Sequence, residues 1–209
     1  MDRCRDLLLS GLDELGLALG DIPVAKLLTF IQLINKWNKA FNLTSIRDRE
    51  AMVGLHLLDS LSVLPHIAGS SVVDIGTGAG LPGIPLAIAK PDVQFTLLDS
   101  NAKKTRFVQQ AVLELKLANV RVCHCRVESY RADPPFDVVI TRAFTNLPDM
   151  LRLTLPLLGE DGILLAMKGQ YPDREIAEAG VEAIVIPIKV PGIDAERCLV
   201  RISKPTQQE

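Results

Sequence analysis

The carboxylate of Asp74, the glycines at 76, 78, 80 and 83, and the carboxylate of Asp99 make the spacing in this chain that could do chemistry. Glycine has no Cβ, so a glycine-rich turn lets a bulky ligand lie against bare backbone. An acid about 20 residues beyond such a turn can accept hydrogen bonds from both ribose hydroxyls of a nucleotide. Turn, helix, strand and acid together describe a pocket for an adenosine-like ligand.

Gly78-Ala79-Gly80-Leu81-Pro82-Gly83 also fits G-x-G-x-x-G, the dinucleotide spacing. Two features favour a cationic nucleoside instead. Asp74 stands two residues before the first glycine, where it would repel a pyrophosphate and attract the ammonium or sulfonium of S-adenosylmethionine. Pro82 and Pro85 also compromise the helix N-terminus that a pyrophosphate needs. A second acidic position, Glu128, follows Arg126 and Val127 in a loop expected beside the adenine, where backbone groups can read the base edge. Glu128 could equally be a solvated loop acid.

These residues need a scaffold, and the apolar pattern supplies one. Strands are expected at 70–75, 93–98, 120–125, 136–141, 162–167, 182–188 and 197–203, with helices at about 82–89, 102–117, 146–157 and 172–179. This alternation predicts βαβ units and a mostly parallel sheet. The link IKVPGIDAE is too short for a helix, so the last two strands should pair antiparallel. Residues 1–68 read as helical. Leu8, Leu12, Leu15 and Leu19 form one stripe, Asp21-Ile22-Pro23 opens a second helix, and Asp48 caps a third from about 49 to 64. The polar tail from Lys204 to Glu209 is expected to fray.

The chain has 209 residues and a formal net charge of −2, which argues against a protein that coats nucleic acid non-specifically. No apolar run approaches the roughly 18 residues needed to span a bilayer, and acids interrupt the N-terminus, so neither a membrane span nor a signal peptide is expected. Four cysteines without a C-x-x-C pair suit a reduced, cytoplasmic protein. Cys123-His124-Cys125 lies in a strand, where neighbours point to opposite faces, so no metal site is expected.

Other candidates sit at strand ends and in the helical part. Arg142 closes the fourth strand, where open α/β sheets place ligands; it could bind substrate, including a phosphate, order the donor site, or merely cap the strand. Lys168 ends the fifth strand and suits RNA phosphate or solvent. His56 and Asp59, three apart on a helix, contact substrate or pair with each other, and the helix pair is favoured. Asn42 follows Phe41 in a polar break and reads as a turn residue, with Phe41 offering a stacking surface. Lys36, Lys39, Arg47 and Arg49 form one basic group and Lys103, Lys104 and Arg106 another; each could carry RNA phosphates or be a solvated face. No general base stands out. The residues alone leave open an RNA methyltransferase, a methyltransferase for proteins or small molecules, an NAD-dependent oxidoreductase, and a non-catalytic RNA-binding factor.

Several pieces together resemble the RsmG (GidB) family of bacterial small-subunit ribosomal RNA methyltransferases. They are Asn38 to Ser45, His56-Leu57-Leu58-Asp59-Ser60, Asp74 to Pro85, Thr96 to Ser100, Arg126-Val127-Glu128, Arg142-Ala143-Phe144 and Lys168-Gly169-Gln170, within a resemblance that runs from Asn35 to Arg201. It implies a class I, Rossmann-like S-adenosylmethionine-dependent fold: an α/β, seven-stranded, mostly parallel sheet with an antiparallel terminal strand. Residues 1–68 would be a helical extension and 69–209 the methyltransferase domain. It implies methyl transfer from S-adenosylmethionine, yielding S-adenosylhomocysteine, to N7 of guanine 527 in the 530 loop of 16S rRNA, free or in a small-subunit particle; separately from the resemblance, a monomer is expected. By the same resemblance Gly76, Leu81, Val127, Glu128 and Arg142 contact the donor, and Asn42, His56, Arg126 and Lys168 matter for activity. Ala79 stands where relatives often have proline.

Overall fold

The computed structural model describes residues 2–204; residues 205–209 of the polar tail lie outside the described residues. Seven strands form one sheet in the order β3-β2-β1-β4-β5-β7-β6. They are β1 (Ser71–Ile75), β2 (Gln94–Asp99), β3 (Val120–His124), β4 (Phe136–Arg142), β5 (Leu158–Lys168), β6 (Ile184–Pro187) and β7 (Cys198–Ser203). The first five run parallel, and β7 lies antiparallel to both β5 and β6. The expected terminal hairpin is present, with β7 inserted between β5 and β6.

Alternating residues of each strand face opposite layers, which is why both halves of the strand pattern are apolar. One face, with Val72, Leu97, Ile140 and Leu165, is covered by α5 (Gly83–Ala89) and α6 (Ala102–Glu114), with α2 (Asp21–Phe41) packed on both and α1 (Asp2–Glu14) packed on α2. The other, with Val73, Ile75, Val139 and Leu164, packs α7 (Leu147–Thr154) and α8 (Asp173–Ala179). The N-terminal helices and the first face share one apolar core.

Four boundaries differ from the sequence reading, each for a local reason. The leucine stripe stops early: α1 ends at Glu14 and Gly16 turns the chain with φ of 67°, leaving Leu15 and Leu19 as partly buried packing. Likewise α6 stops at Glu114, and Lys116 adopts φ of 51°. Strand β5 begins at Leu158 because the ladder slips between its pairs with Phe136 and Val138, which sends the exposed Glu160 and Asp161 outward. The third helix is not uniform. It comprises α3 (Arg49–Met52), a π-helical turn (Val53–Leu58) and α4 (Asp59–Leu61), with the Asp59 N–H donating to Gly54 O five residues back. Asp48 caps it as expected, its carboxylate accepting from Ala51 N at 2.7 Å.

Candidate active site

The strand ends β1 to β4 converge on a cleft of about 300 Å³. Its floor is the turn after β1. There Gly76, Gly78 and Gly80 have φ of 70°, 59° and 82°, values that L side chains rarely adopt. A Cβ on Gly76 would sit 2.9 Å from the Phe144 ring, so the absence of a side chain keeps the cleft open there. Gly78 opens toward the Lys104 ammonium. Gly80 faces inward, against Ile84, and the Leu81 side chain is buried in the core.

Two carboxylates shape the turn differently. Asp99 Oδ2 accepts from Gly78 N at 2.9 Å and its Oδ1 from Asn101 N at 2.8 Å, so this acid joins the turn to the start of α6 while lining the cleft. Asp74 is wholly buried behind the turn. Its Oδ2 accepts from Thr77 Oγ1 at 2.7 Å and Gly83 N at 2.9 Å, while Oδ1 has no hydrogen-bond partner among the described residues. Burial raises its carboxyl from the ordinary 3.8 to about 6, against the bonds from Thr77 and Gly83. Val127 and Glu128 line the cleft wall with Arg126, and Lys104 lines it beside Gly78.

A second cavity, of about 360 Å³, adjoins the first at Ala143. Ala143 has φ of 51°, a sharp reversal for a residue with a Cβ. Arg142, before it, lines the second cavity, and Phe144, after it, lines the first. Arg142 Nη1 donates to Asp59 Oδ2 at 3.1 Å and to Leu55 O at 3.3 Å. The same Asp59 accepts from Arg197 Nε at 3.2 Å. Lys168 is no solvated lysine: its Nζ donates to Glu175 Oε2 at 2.8 Å and Thr145 O at 3.3 Å.

The expected His56–Asp59 pair is absent. The two remain neighbours, the Asp59 amide donating to His56 O as well as to Gly54 O, but no hydrogen bond or ion pair joins their side chains. Asp59 turns to the two arginines. His56 instead sits 3.0 Å from Thr44 Oγ1 through Nε2 and 3.0 Å from Leu55 O through Nδ1. A carbonyl only accepts, so Nδ1 carries the proton and Nε2 accepts from the Thr44 hydroxyl. Burial, helped by the Arg142 charge, lowers this histidine from 6.5 to about 4. It is a neutral clamp on the segment after α2 and lines neither cavity. Asn42 is a turn residue, closing α2 at φ of 48° and accepting from Arg47 Nη2 at 3.1 Å. Lys39 and Lys103 are exposed and line neither cavity.

The structure therefore gathers Gly76, Asp99, Arg126, Val127, Glu128 and Lys104 in one cleft and Arg142 with Lys168 in the other. Sequence reasoning missed roles for Phe144, Arg197 and Glu175, which depend on contacts between distant elements. Cys123 and Cys125 are free thiols, and the His124 ring donates to Ser100 O at 3.1 Å. Among the described residues no group of three or more His, Cys, Asp or Glu could hold a metal ion.

Residues 24–196 match the family model described as rRNA small subunit methyltransferase G. The chain belongs to this family. The "Ribosomal RNA small subunit methyltransferase G" of Legionella pneumophila is 49% identical over 207 residues, covering 99% of this chain and 98% of that protein. The protein of the same name from Marinobacter nauticus is 51% identical over 198 residues, covering 93% and 92%. Among solved structures, a putative O-methyltransferase from Klebsiella pneumoniae superposes with a TM-score of 0.61 at 17% identity, covering 91% of this chain and 93% of that one. A SAM-dependent methyltransferase from Aquifex aeolicus gives 0.57 at 16%, covering 85% and 98%. These two likenesses establish the fold, the one expected from the strand and helix order.

Proposed function

We propose that this chain transfers a methyl group from S-adenosylmethionine to N7 of a guanine, guanine 527 of the 530 loop, in 16S rRNA or a small-subunit particle. It does so as a cytoplasmic monomer, with residues 1–68 as a helical extension of the methyltransferase domain 69–209. Family membership supports the reaction class. The observation that carries the site assignment is the pair of cavities meeting at Ala143, one rich in carboxylate and bare backbone, the other in guanidinium. Among the described residues no helix is long and apolar enough to cross a membrane, consistent with action on ribosomal RNA.

The first cleft fits the donor. Asp99 lines it with lone pairs beyond those given to Gly78 and Asn101, in reach of ribose hydroxyls. Gly76 gives the close backbone approach, Val127 and Glu128 form the base wall, and the orphaned Asp74 Oδ1 supplies negative potential behind the turn. Once bound, the donor supplies an electrophilic methyl carbon. Guanine N7 holds a lone pair and no proton, so the chain needs no general base. His56 agrees with this, since both its nitrogens are engaged away from the cavities. The protein's work is then orientation and charge placement.

Mapping 7-methylguanosine in ribosomal RNA from cells with and without the protein tests the reading. The modification should vanish at one guanine in its absence and return with the wild-type chain. Unchanged methylation would overturn it, as would purified protein that ignores S-adenosylmethionine in calorimetry.

A further inference from the structure

Asp59 occupies an unusual electrostatic position. Its side chain is only 7% exposed, yet its two oxygens go to two different arginines, Oδ2 to Arg142 and Oδ1 to Arg197. The three residues come from the end of the π-helical turn, the end of β4 and the loop before β7. One carboxylate cannot neutralise two guanidiniums, so the triad keeps a net positive charge at the wall of the second cavity. A buried ion pair of this kind is a weak source of stability, because desolvation offsets most of the attraction. It does fix geometry.

Both arginines keep donors in hand. Arg142 uses Nη1 for Asp59 and Leu55 O; Arg197 uses Nε for Asp59 and Nη1 for Glu196 O. The Nη2 group of each has no protein partner among the described residues, and each side chain is about a quarter exposed. Around them the wall is apolar, with Leu55, Met167 and Ile188. Apolar surface beside fixed N–H donors suits a flat base that presents acceptors. Guanine presents O6 next to N7, whereas adenine presents an amino donor at the O6 position. A guanidinium that engaged both O6 and N7 would block the reacting nitrogen. Two separately tethered guanidiniums, each with one free corner, can take O6 and a phosphate and leave N7 clear.

We propose that Asp59 is a positioning residue that aims Arg142 and Arg197 at the acceptor nucleotide as one two-pronged donor, and that Arg197 contacts the RNA and helps select guanine. This rests on the second cavity being the acceptor side, as in the function proposed above.

The test uses single-turnover methyl transfer against RNA concentration, with donor affinity measured in parallel by calorimetry, for wild type, Arg197→Ala, Arg197→Lys, Asp59→Asn and the double variant Asp59→Asn/Arg197→Ala. If wild type fails to methylate the RNA, the proposed function itself falls. Given active wild type, Arg197→Ala should raise the RNA concentration for half-maximal transfer about tenfold. Donor affinity should stay within about twofold, since Arg197 does not line the donor cleft. Arg197→Lys should recover little, because a point charge on a flexible stem does not replace the planar fork. Asp59→Asn should lower the saturated rate at least about tenfold with donor affinity retained, and the double variant should cost less than the product of the singles. A merely structural Asp59 would instead lower donor affinity, rate and melting temperature together, which would overturn the proposal. Wild-type RNA dependence in Arg197→Ala would also overturn it, and this outcome decides the matter even if Asp59→Asn does not fold.

Discussion

The donor cleft and the cavity beside it are built by opposite means. In the donor cleft the decisive features are backbone: left-handed glycines, amides held by Asp99 and Asp74, and the short loop after β3. In the neighbouring cavity they are side chains from four separate places, Asp59, Arg142, Lys168 and Arg197, fixed by ion pairs that include Glu175 behind Lys168. A site made of backbone is broken by adding atoms and one made of ion pairs by removing them. The turn of the first takes its shape from local sequence; the ion pairs of the second need elements far apart in the chain.

The largest effect should come from removing a charge. Arg142→Ala should slow single-turnover methyl transfer by about a hundredfold or more, the size seen when one preorganised donor is lost from a reacting centre. The fold should survive, because Asp59 keeps Arg197 as its partner. Wild-type single-turnover rates in the variant would refute the assignment. The matching experiment on the other side adds one carbon. In Gly76→Ala the new Cβ meets the Phe144 ring at 2.9 Å, in a backbone conformation with φ of 70°. Donor affinity should fall about tenfold or more, with RNA binding retained. Equal losses of donor and RNA binding would show that the two cavities are not separable.

That contrast also decides what could be read beforehand. Asp74, Gly76, Gly78 and Asp99 were legible because a strand, a turn and an acid at fixed spacing force the same local geometry wherever they occur. The mostly parallel sheet was legible, since alternation of periods dictates it, but the order of its strands was not. The π-helical turn was not. Its apolar pattern fits an ordinary helix, and only packing reveals the extra residue in the turn. Arg197 and Glu175 carried no signal in a single chain, as their meaning lies in partners 138 and 7 residues away. Lys168 read as either a phosphate contact or a solvated lysine: the helix at 172–179 was legible, but not that it turns Glu175 back toward the end of β5.

Glu175 gives a smaller, more diagnostic effect. It accepts from Lys168 Nζ at 2.8 Å and from Leu147 N at 2.6 Å, tying the ends of β5 and α7 to α8. Glu175→Gln keeps an oxygen for the Leu147 amide and removes the charge facing Lys168. Methylation at saturating RNA should fall severalfold, while RNA binding should depend more steeply on salt as the cavity gains positive charge. A salt slope identical to wild type would show that Lys168 is held away from phosphate.

The smallest effect separates the two regions by their protons. Asp74, behind the donor turn, titrates at about 6 in the fold against an ordinary 3.8, and His56, beneath the other cavity, at about 4 against 6.5. Between about pH 4 and 6 the folded chain holds a proton on Asp74 that the unfolded chain has released. Over the same range the unfolded chain holds one on His56 that the folded chain lacks. Stability rises with pH where the unfolded state binds more protons, so His56 contributes a rising slope and Asp74 a falling one, and the two largely cancel. Removing one should unmask the other. Asp74→Asn should lose stability as pH falls from 6.5 toward 4, and His56→Gln should lose it as pH rises from 3.8 toward 6. Each slope is limited to about 1.4 kcal/mol per pH unit. Urea unfolding midpoints of the two variants at pH 4.5 and pH 6 should therefore move in opposite directions, and midpoints that move together would show that these two buried groups do not set the acid response. A cationic donor held near Asp74 favours its ionised form, so donor affinity should also weaken below about pH 6 in wild type and lose that dependence in Asp74→Asn.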